Sequence, residues 1–191
     1  MPLLLETIKI DEGRVYHLPY HQARCDKSRE ALFGTKRHLA LSSFIKAPKK
    51  GLYRCRIVYG EKIQTVEYIP YRAKKINSLK IVSSNLEYDH KYANREALNK
   101  LLTLNSSADE ILIEKNGYIT DTSIANIAFY DNKQWFTPKT PLLKGTTRAR
   151  LLDEGFLQLR DIRKDQIANY TQVALMNAMI GFKILNQFTY K

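Results

Sequence analysis

An α+β fold of two domains, built on mostly antiparallel sheets with flanking helices, is what the sequence predicts, and three observations predict it. Short runs of alternating hydrophobicity recur between turn residues, as half-buried antiparallel strands do. Helical spacing is confined to a few segments outside those runs. The stretch Pro70-Tyr71-Arg72-Ala73-Lys74-Lys75-Ile76-Asn77-Ser78 is polar and is the one segment with the composition of an interdomain linker. It places a small N-terminal α/β domain at 1–75 and a larger domain at 76–191.

In chain order, residues 6–10 alternate as a strand, and Asp11-Glu12-Gly13 turns them back into Arg14-Val15-Tyr16-His17. A helix is expected over 21–33, after Pro19-Tyr20 and closed by Gly34 in the C′ position. A short helix over 38–45 precedes the loop Ala47-Pro48-Lys49-Lys50-Gly51. Residues 52–59 alternate, with Tyr53, Cys55 and Ile57 on one face and Arg54, Arg56 and Val58 on the other. Gly60-Glu61 leads into a partner strand over 63–69. Residues 79–82 open the second domain as a strand, and a helix led by Asp89 as N-cap is expected to run from Lys91 to about Leu104. Strands follow at 110–114 and 118–121, joined by Asn116-Gly117, whose residues tolerate positive φ. Two more, at 126–130 and 134–136, turn at Asp131-Asn132. Together these read as an antiparallel meander. A helix over 148–154 is stopped by Gly155, and 173–179 reads as a buried strand ending in a turn.

The 191-residue chain is long enough for a substantial core, and its 44% hydrophobic and 26% charged content is that of a globular protein. Its longest apolar runs are too short to span a membrane as helices. The opening Met1-Pro2-Leu3-Leu4-Leu5 has neither the basic region nor the apolar length of a signal peptide. Cys25 and Cys55 form no Cys-x-x-Cys pair and no disulfide framework, which suits a reducing cytoplasm. The net charge of +12 raises nucleic acid as a partner. The densest basic cluster is Lys46, Lys49, Lys50, Arg54 and Arg56, followed by Arg72, Lys74 and Lys75. No basic tail, zinc finger or RNP sequence accompanies it, and a solvated basic surface is the simpler reading. A basic binding module acting through region 46–75 is the alternative from another functional class.

The chain is organised around Tyr88-Asp89-His90-Lys91-Tyr92-Ala93-Asn94-Arg95-Glu96-Ala97-Leu98. With Lys91 at a helix start, the positive end of the helix disfavours the ammonium and favours the neutral amine, the form that attacks an aldehyde. Asn94 and Arg95 complete a Lys-x-x-Asn-Arg pattern. Later come Gly117-Tyr118-Ile119-Thr120-Asp121-Thr122-Ser123-Ile124-Ala125-Asn126 and Thr137-Pro138-Lys139-Thr140-Pro141-Leu142-Leu143-Lys144-Gly145-Thr146-Thr147-Arg148. In this order and spacing the segments resemble the fold-type IV pyridoxal-phosphate enzymes (class IV aminotransferases), which include branched-chain and D-amino-acid aminotransferases and aminodeoxychorismate lyases. The likeness runs from about Glu6 to the C-terminal end.

The resemblance implies a D-amino-acid-aminotransferase-like fold, pyridoxal 5′-phosphate as cofactor, and a homodimer. It makes Lys91, in the C-terminal domain, the catalytic residue that holds the cofactor. In His21-x-x-Arg24 it assigns the arginine to the cofactor phosphate, a task that suits a guanidinium fork. Asp121 falls where a carboxylate keeps the cofactor's ring nitrogen protonated; the family usually has glutamate here, one methylene longer. Thr122 follows it in the cofactor site. The Lys144-Gly145-Thr146-Thr147 segment opens a helix whose amides and hydroxyls suit a phosphate; the resemblance places the phosphate on Gly145, Thr146 and Thr147. Asn177 and Ala178 match the last active-site segment and are expected to help hold the cofactor at its phosphate; Asn-Ala here looks more like the lyases than the branched-chain enzymes. Arg54 and Arg56 share a strand face that suits a substrate carboxylate if it looks into a cleft, and is otherwise exposed sheet surface. No metal is implied. Larger members have further residues before the first matching strand, including an early Asp-Arg and Gly-Asp-Gly segment near the substrate, so substrate-side groups are expected to be replaced, supplied by a partner subunit, or missing. The expected activity is transfer of an amino group between a small amino acid and a 2-keto acid. Pyruvate elimination from 4-amino-4-deoxychorismate is the second expectation, and a degenerate member that binds cofactor without turnover the third.

Overall fold

The computed structural model describes residues 1–186, 189 and 190. The chain divides into two compact units, Met1–Ala73 with His90–Asn94, and Lys74–Asp89 with Arg95–Lys191.

The first unit begins with a hairpin of β1 (Leu4–Asp11) and β2 (Arg14–Val15). Its two turn residues, Glu12 and Gly13, both have positive φ, 47° and 78°, the twist that a two-residue hairpin requires. Glu12 tolerates this because its side chain and amide both bond the backbone of Gly51. Helix α1 (Leu18–Phe33) carries Pro19 in its first turn, where no amide hydrogen is needed, and ends at Gly34 with φ 64°. β3 (Leu52–Tyr59) and β4 (Ile63–Pro70) complete an antiparallel sheet ordered β2-β1-β3-β4. Alternation in β3 buries Cys55, Ile57 and Tyr59 with Leu4, Ile8 and Ile10 of β1, and leaves Arg54 and Arg56 on the other face. The helix expected over 38–45 is a single 3₁₀ turn, Leu41–Phe44. Gln22 of α1 binds the carbonyl of Leu39 and the amide of Leu41, which takes backbone groups a longer helix would need.

A larger difference concerns residues 88–95. Helix α2 follows later, at Glu96–Thr103, so Lys91 is not in its first turn and Asp89 is not its N-cap. The carbonyl of Lys91 accepts from Leu5 and the amide of Ala93 donates to Leu3, both at 2.8 Å, while Tyr92 bridges Leu4. Pairing with residues 3–5 takes the backbone groups of Lys91 and Ala93 and keeps the stretch out of α2, so no helix N-terminus favours a neutral Lys91 amine. The same pairing places the segment with the N-terminal unit, whereas the sequence reading counted it with the C-terminal domain.

The second unit contains β5 (Ser78–Ser83), then α2, then β6 (Glu110–Lys115), β7 (Tyr118–Thr122), β8 (Asn126–Tyr130) and β9 (Trp135–Pro138). Helix α3 (Thr146–Asp153), β10 (Leu157–Arg160), β11 (Gln172–Asn177), β12 (Gly181–Ile184) and β13 (Thr189–Tyr190) follow. The strands form one sheet ordered β10-β9-β8-β7-β6-β5-β13, with β11 paired to β8 and β12 to β11. It is not the plain meander that the sequence suggests. β5 with β6 and β9 with β10 are parallel, because a helix carries the chain back to the same end of the sheet in each case. The hairpin at Asn116-Gly117 has φ 54° and 86°, as its composition requires. Leu79, Leu112, Ile119, Ile127, Phe129, Val173 and Leu175 fill the core of this unit. No described helix is long and apolar enough to cross a membrane.

Candidate active site

In the N-terminal unit, β1 and α1 bring together Glu6, His21 and Arg24. Spacing of three puts His21 and Arg24 on one side of α1. Glu6, fully buried, accepts from Arg24 Nε at 2.8 Å and from its terminal nitrogen at 2.6 Å, and pairs with His21 Nδ1 at 2.6 Å. Burial alone would raise the Glu6 carboxyl, but the Arg24 charge and the bonds from His21 and Arg24 outweigh it and hold the carboxyl at about 2. Burial lowers the His21 pKa against the pull of Glu6, and the nearby charges of Arg24 and Lys91 lower it further, so this imidazole favours the neutral form. Lys91 is therefore close enough to act electrostatically on the cluster. Arg56 pairs with Glu67 at 2.7 Å on the exposed sheet face, whereas Arg54 Nε is buried without a partner.

Glu6 was missed as a site residue in the sequence; only its place opposite the His-x-x-Arg helix marks it. Replacing it with glutamine is expected to cost about 3 kcal/mol, since Arg24 and His21 lose their buried carboxylate. Urea denaturation at pH 7 checks this. The Glu6 contribution is complete above its unfolded value of 4.5 and is lost as pH falls toward 2. The Glu6→Gln penalty should therefore shrink in acid.

In the C-terminal unit, Asp121 lies at the end of β7, 3% exposed. Its Oδ1 accepts from the Asn126 side chain at 2.7 Å and its Oδ2 from the Leu143 amide at 2.8 Å. Burial pushes this carboxyl up to about 7, although those bonds and the Arg148 charge pull it down. Arg148 is itself buried, with its pKa lowered by desolvation, and its Nε has no partner. Gly145 is the N-cap of α3 and offers no side chain, so the helix opens on uncapped amides beside the buried Thr146 and Thr147. The Thr122 hydroxyl is used within its own turn, accepting from Ala125 and donating to its carbonyl, both at 3.0 Å. Asn177 Oδ1 accepts from the amides of Met179 and Ile180, and its amide reaches the Ile124 carbonyl. Asn177 thus shapes the turn before β12 and ties it to the 122–125 turn, with Ala178 inside it. Three further buried polar atoms without a partner surround that turn: Glu110 Oε2, Ser123 Oγ and Arg95 Nε. Arg95 bonds the Ser123 carbonyl at 2.6 Å, and Glu110 Oε1 accepts from the Ser123 amide. Glu110 and Ser123 carried no signal in the sequence beyond standing in a buried strand and a turn.

These donors fit the chemistry of pyridoxal phosphate. Uncapped amides with flanking hydroxyls suit a phosphate ester. A buried carboxylate whose charge only the Arg148 guanidinium offsets suits a protonated ring nitrogen as its partner.

The class IV amino-transferase family matches residues 3–185 of the chain. An uncharacterized protein of Haemophilus influenzae is 36% identical over 184 residues, 93% of this chain and 98% of that protein. A Schizosaccharomyces pombe protein named as a candidate aminodeoxychorismate lyase is 35% identical over 126 residues, 61% of this chain and 54% of that protein. Among solved structures, a candidate 4-amino-4-deoxychorismate lyase from Haemophilus somnus superposes with a TM-score of 0.87 at 35% identity, covering 95% of this chain and 98% of that one. A hypothetical aminotransferase from Mycobacterium tuberculosis, solved with pyridoxal phosphate bound, shares the fold with a TM-score of 0.78 at 15% identity, covering 98% of this chain and 81% of that one. The chain belongs to the class IV aminotransferases, a family of pyridoxal-phosphate-dependent enzymes with the fold-type IV architecture.

Proposed function

We propose that this protein binds pyridoxal 5′-phosphate and works at the amino-bearing carbon of a small amino acid, with transamination to a 2-keto acid as its reaction. The observation that carries the reading is the Asp121 environment: a buried carboxylate raised to about 7, braced against the turn that leads into α3. The bound cofactor supplies an electron sink for charge that develops on the substrate carbon. Lys91 is the amine that holds the cofactor and, once released, moves a proton to or from the substrate carbon. Asp121 in its ionised form keeps the ring-nitrogen proton in place. Arg24, with its guanidinium oriented by Glu6, and the Gly145–Thr147 opening of α3 receive the phosphate. Thr122, Asn177 and Ala178 shape the turns beside Asp121, and Arg54 is the better placed of the two strand arginines for a substrate carboxylate, since Arg56 is already paired with Glu67.

Pyruvate elimination from 4-amino-4-deoxychorismate is the second reading. The names of the Haemophilus somnus and Schizosaccharomyces pombe relatives favour it, as does Asn177-Ala178. Both reactions begin with removal of the same proton, so the residue roles are shared. The test is turnover with and without a keto-acid acceptor. Transamination requires the acceptor; pyruvate released from aminodeoxychorismate without one would replace the first reading by the second. Borohydride reduction of the cofactor-loaded protein, followed by peptide mapping, is expected to place the pyridoxyl group on Lys91. Its absence there would remove both readings.

A further inference from the structure

Asn126 is the first residue of β8, directly opposite Asp121 in the β7–β8 register, and is 6% exposed. Its side-chain amide donates to Asp121 Oδ1 and to the Leu143 carbonyl, both at 2.7 Å. The Leu143 amide returns to Asp121 Oδ2 at 2.8 Å. A carboxylate, a carboxamide and both polar groups of one backbone residue thus close a ring.

The orientation of the Asn126 amide follows from its partners. Both are acceptors, so the NH₂ group faces them and Oδ1 points away. On that other side lies Gly145. A Cβ at position 145 would stand 1.9 Å from Asn126 Oδ1. Gly145 has φ −72° and ψ 148°, which any residue adopts, so glycine is required there by space and not by backbone conformation. One side chain therefore touches the carboxylate at the end of β7, the turn at 143, and the N-cap of α3.

We propose that Asn126 is the positioning residue of this site, fixing at once the carboxylate meant for the cofactor's ring nitrogen and the helix opening meant for its phosphate. The inference rests on the cofactor reading above. Donation from Asn126 favours the ionised form of Asp121, and so keeps the shared proton on the ring nitrogen and off the carboxyl. The charged side chain acting on Asp121 from α3, Arg148, works in the same direction. A shorter residue at 126 shifts that proton toward Asp121 and loosens the 143–145 turn.

The test uses the full-length protein with Asn126→Ala, Gly145→Ala and the double variant, and Asn126→Ser in place of the alanine variant should the latter fail to fold. Circular dichroism establishes folding. Cofactor affinity is read by titrating cofactor-free protein with pyridoxal phosphate, and the proton's location by the NMR resonance of isotope-labelled ring nitrogen. Asn126→Ala is expected to weaken binding by about tenfold or more, the scale of a lost hydrogen bond to a charged group, and to move the resonance toward the unprotonated value at pH 7. Gly145→Ala is expected to weaken binding alone but much less in the Asn126→Ala background, where the added methyl meets no oxygen. A Position-126 variant with wild-type affinity and resonance, or single effects that simply multiply in the double variant, would overturn the inference while the cofactor reading stands. A wild-type protein that takes up no pyridoxal phosphate overturns both.

Discussion

Replacing Lys91 with alanine is expected to lower turnover by at least about 10²- to 10⁴-fold, the range for loss of a positioned proton-transfer group. Borohydride should then fix no pyridoxyl group to the protein. Folding should survive, because Lys91 is tied to β1 by its backbone carbonyl, which alanine retains. A change in stability of about 1 kcal/mol or less is therefore expected, read by urea denaturation. Lys91→Arg separates charge from chemistry. It preserves a cation near His21, but a guanidinium stays protonated and supplies neither the nucleophile nor the proton shuttle. Both variants should be equally inactive, while only the alanine variant removes the cationic influence on His21. Turnover by the arginine variant close to wild type would overturn the assignment of Lys91.

Asp121→Asn is expected to reduce turnover by about 10²- to 10³-fold, since the ring-nitrogen proton loses its anionic partner. Its second effect is on the pH dependence of stability in the cofactor-free protein. The Asp121 carboxyl titrates at about 7 when folded and at 3.8 when unfolded, so between those values the folded state binds more protons. Its contribution to stability therefore falls as pH rises across that window and is flat above it. His21, whose pKa is lowered, contributes a slope of opposite sign below pH 6.5. That slope is common to both proteins, so the difference between wild-type and Asp121→Asn stability curves isolates Asp121. The difference should change steadily from about pH 4 to 7; a flat difference would show that the carboxyl is ionised throughout.

Much of the fold was legible because local rules and tertiary packing agree. Alternation in 52–59 set the buried face of β3, and Asn116-Gly117 set a hairpin that the structure contains. The helix closed by Gly34 ends there. The failures share a cause. Residues 91–95 have helical composition, yet Leu5 of β1 and Leu3 just before it take the backbone groups of Lys91 and Ala93, and Gln22 does the same to Leu39 and Leu41. Distant partners that claim backbone hydrogen bonds leave no periodic trace in the segment they override. Among side chains, the motifs marked Lys91, Arg24, Asp121, Thr146 and Thr147 as chemistry-bearing types. They did not mark Glu6, which neutralises Arg24, or Asn126, which braces Asp121.

The sequence by itself determined the family, the strand and turn rhythm, and which residue types stand ready for cofactor chemistry, because these depend on identity and spacing along the chain. Only the tertiary structure decided what each of those groups faces. The β1 register brought Glu6 to Arg24, and the β7–β8 register brought Asn126 to Asp121. A carboxyl's pKa and an arginine's orientation are set by desolvation and by partners a few ångströms away in space, and separation along the chain carries no record of either.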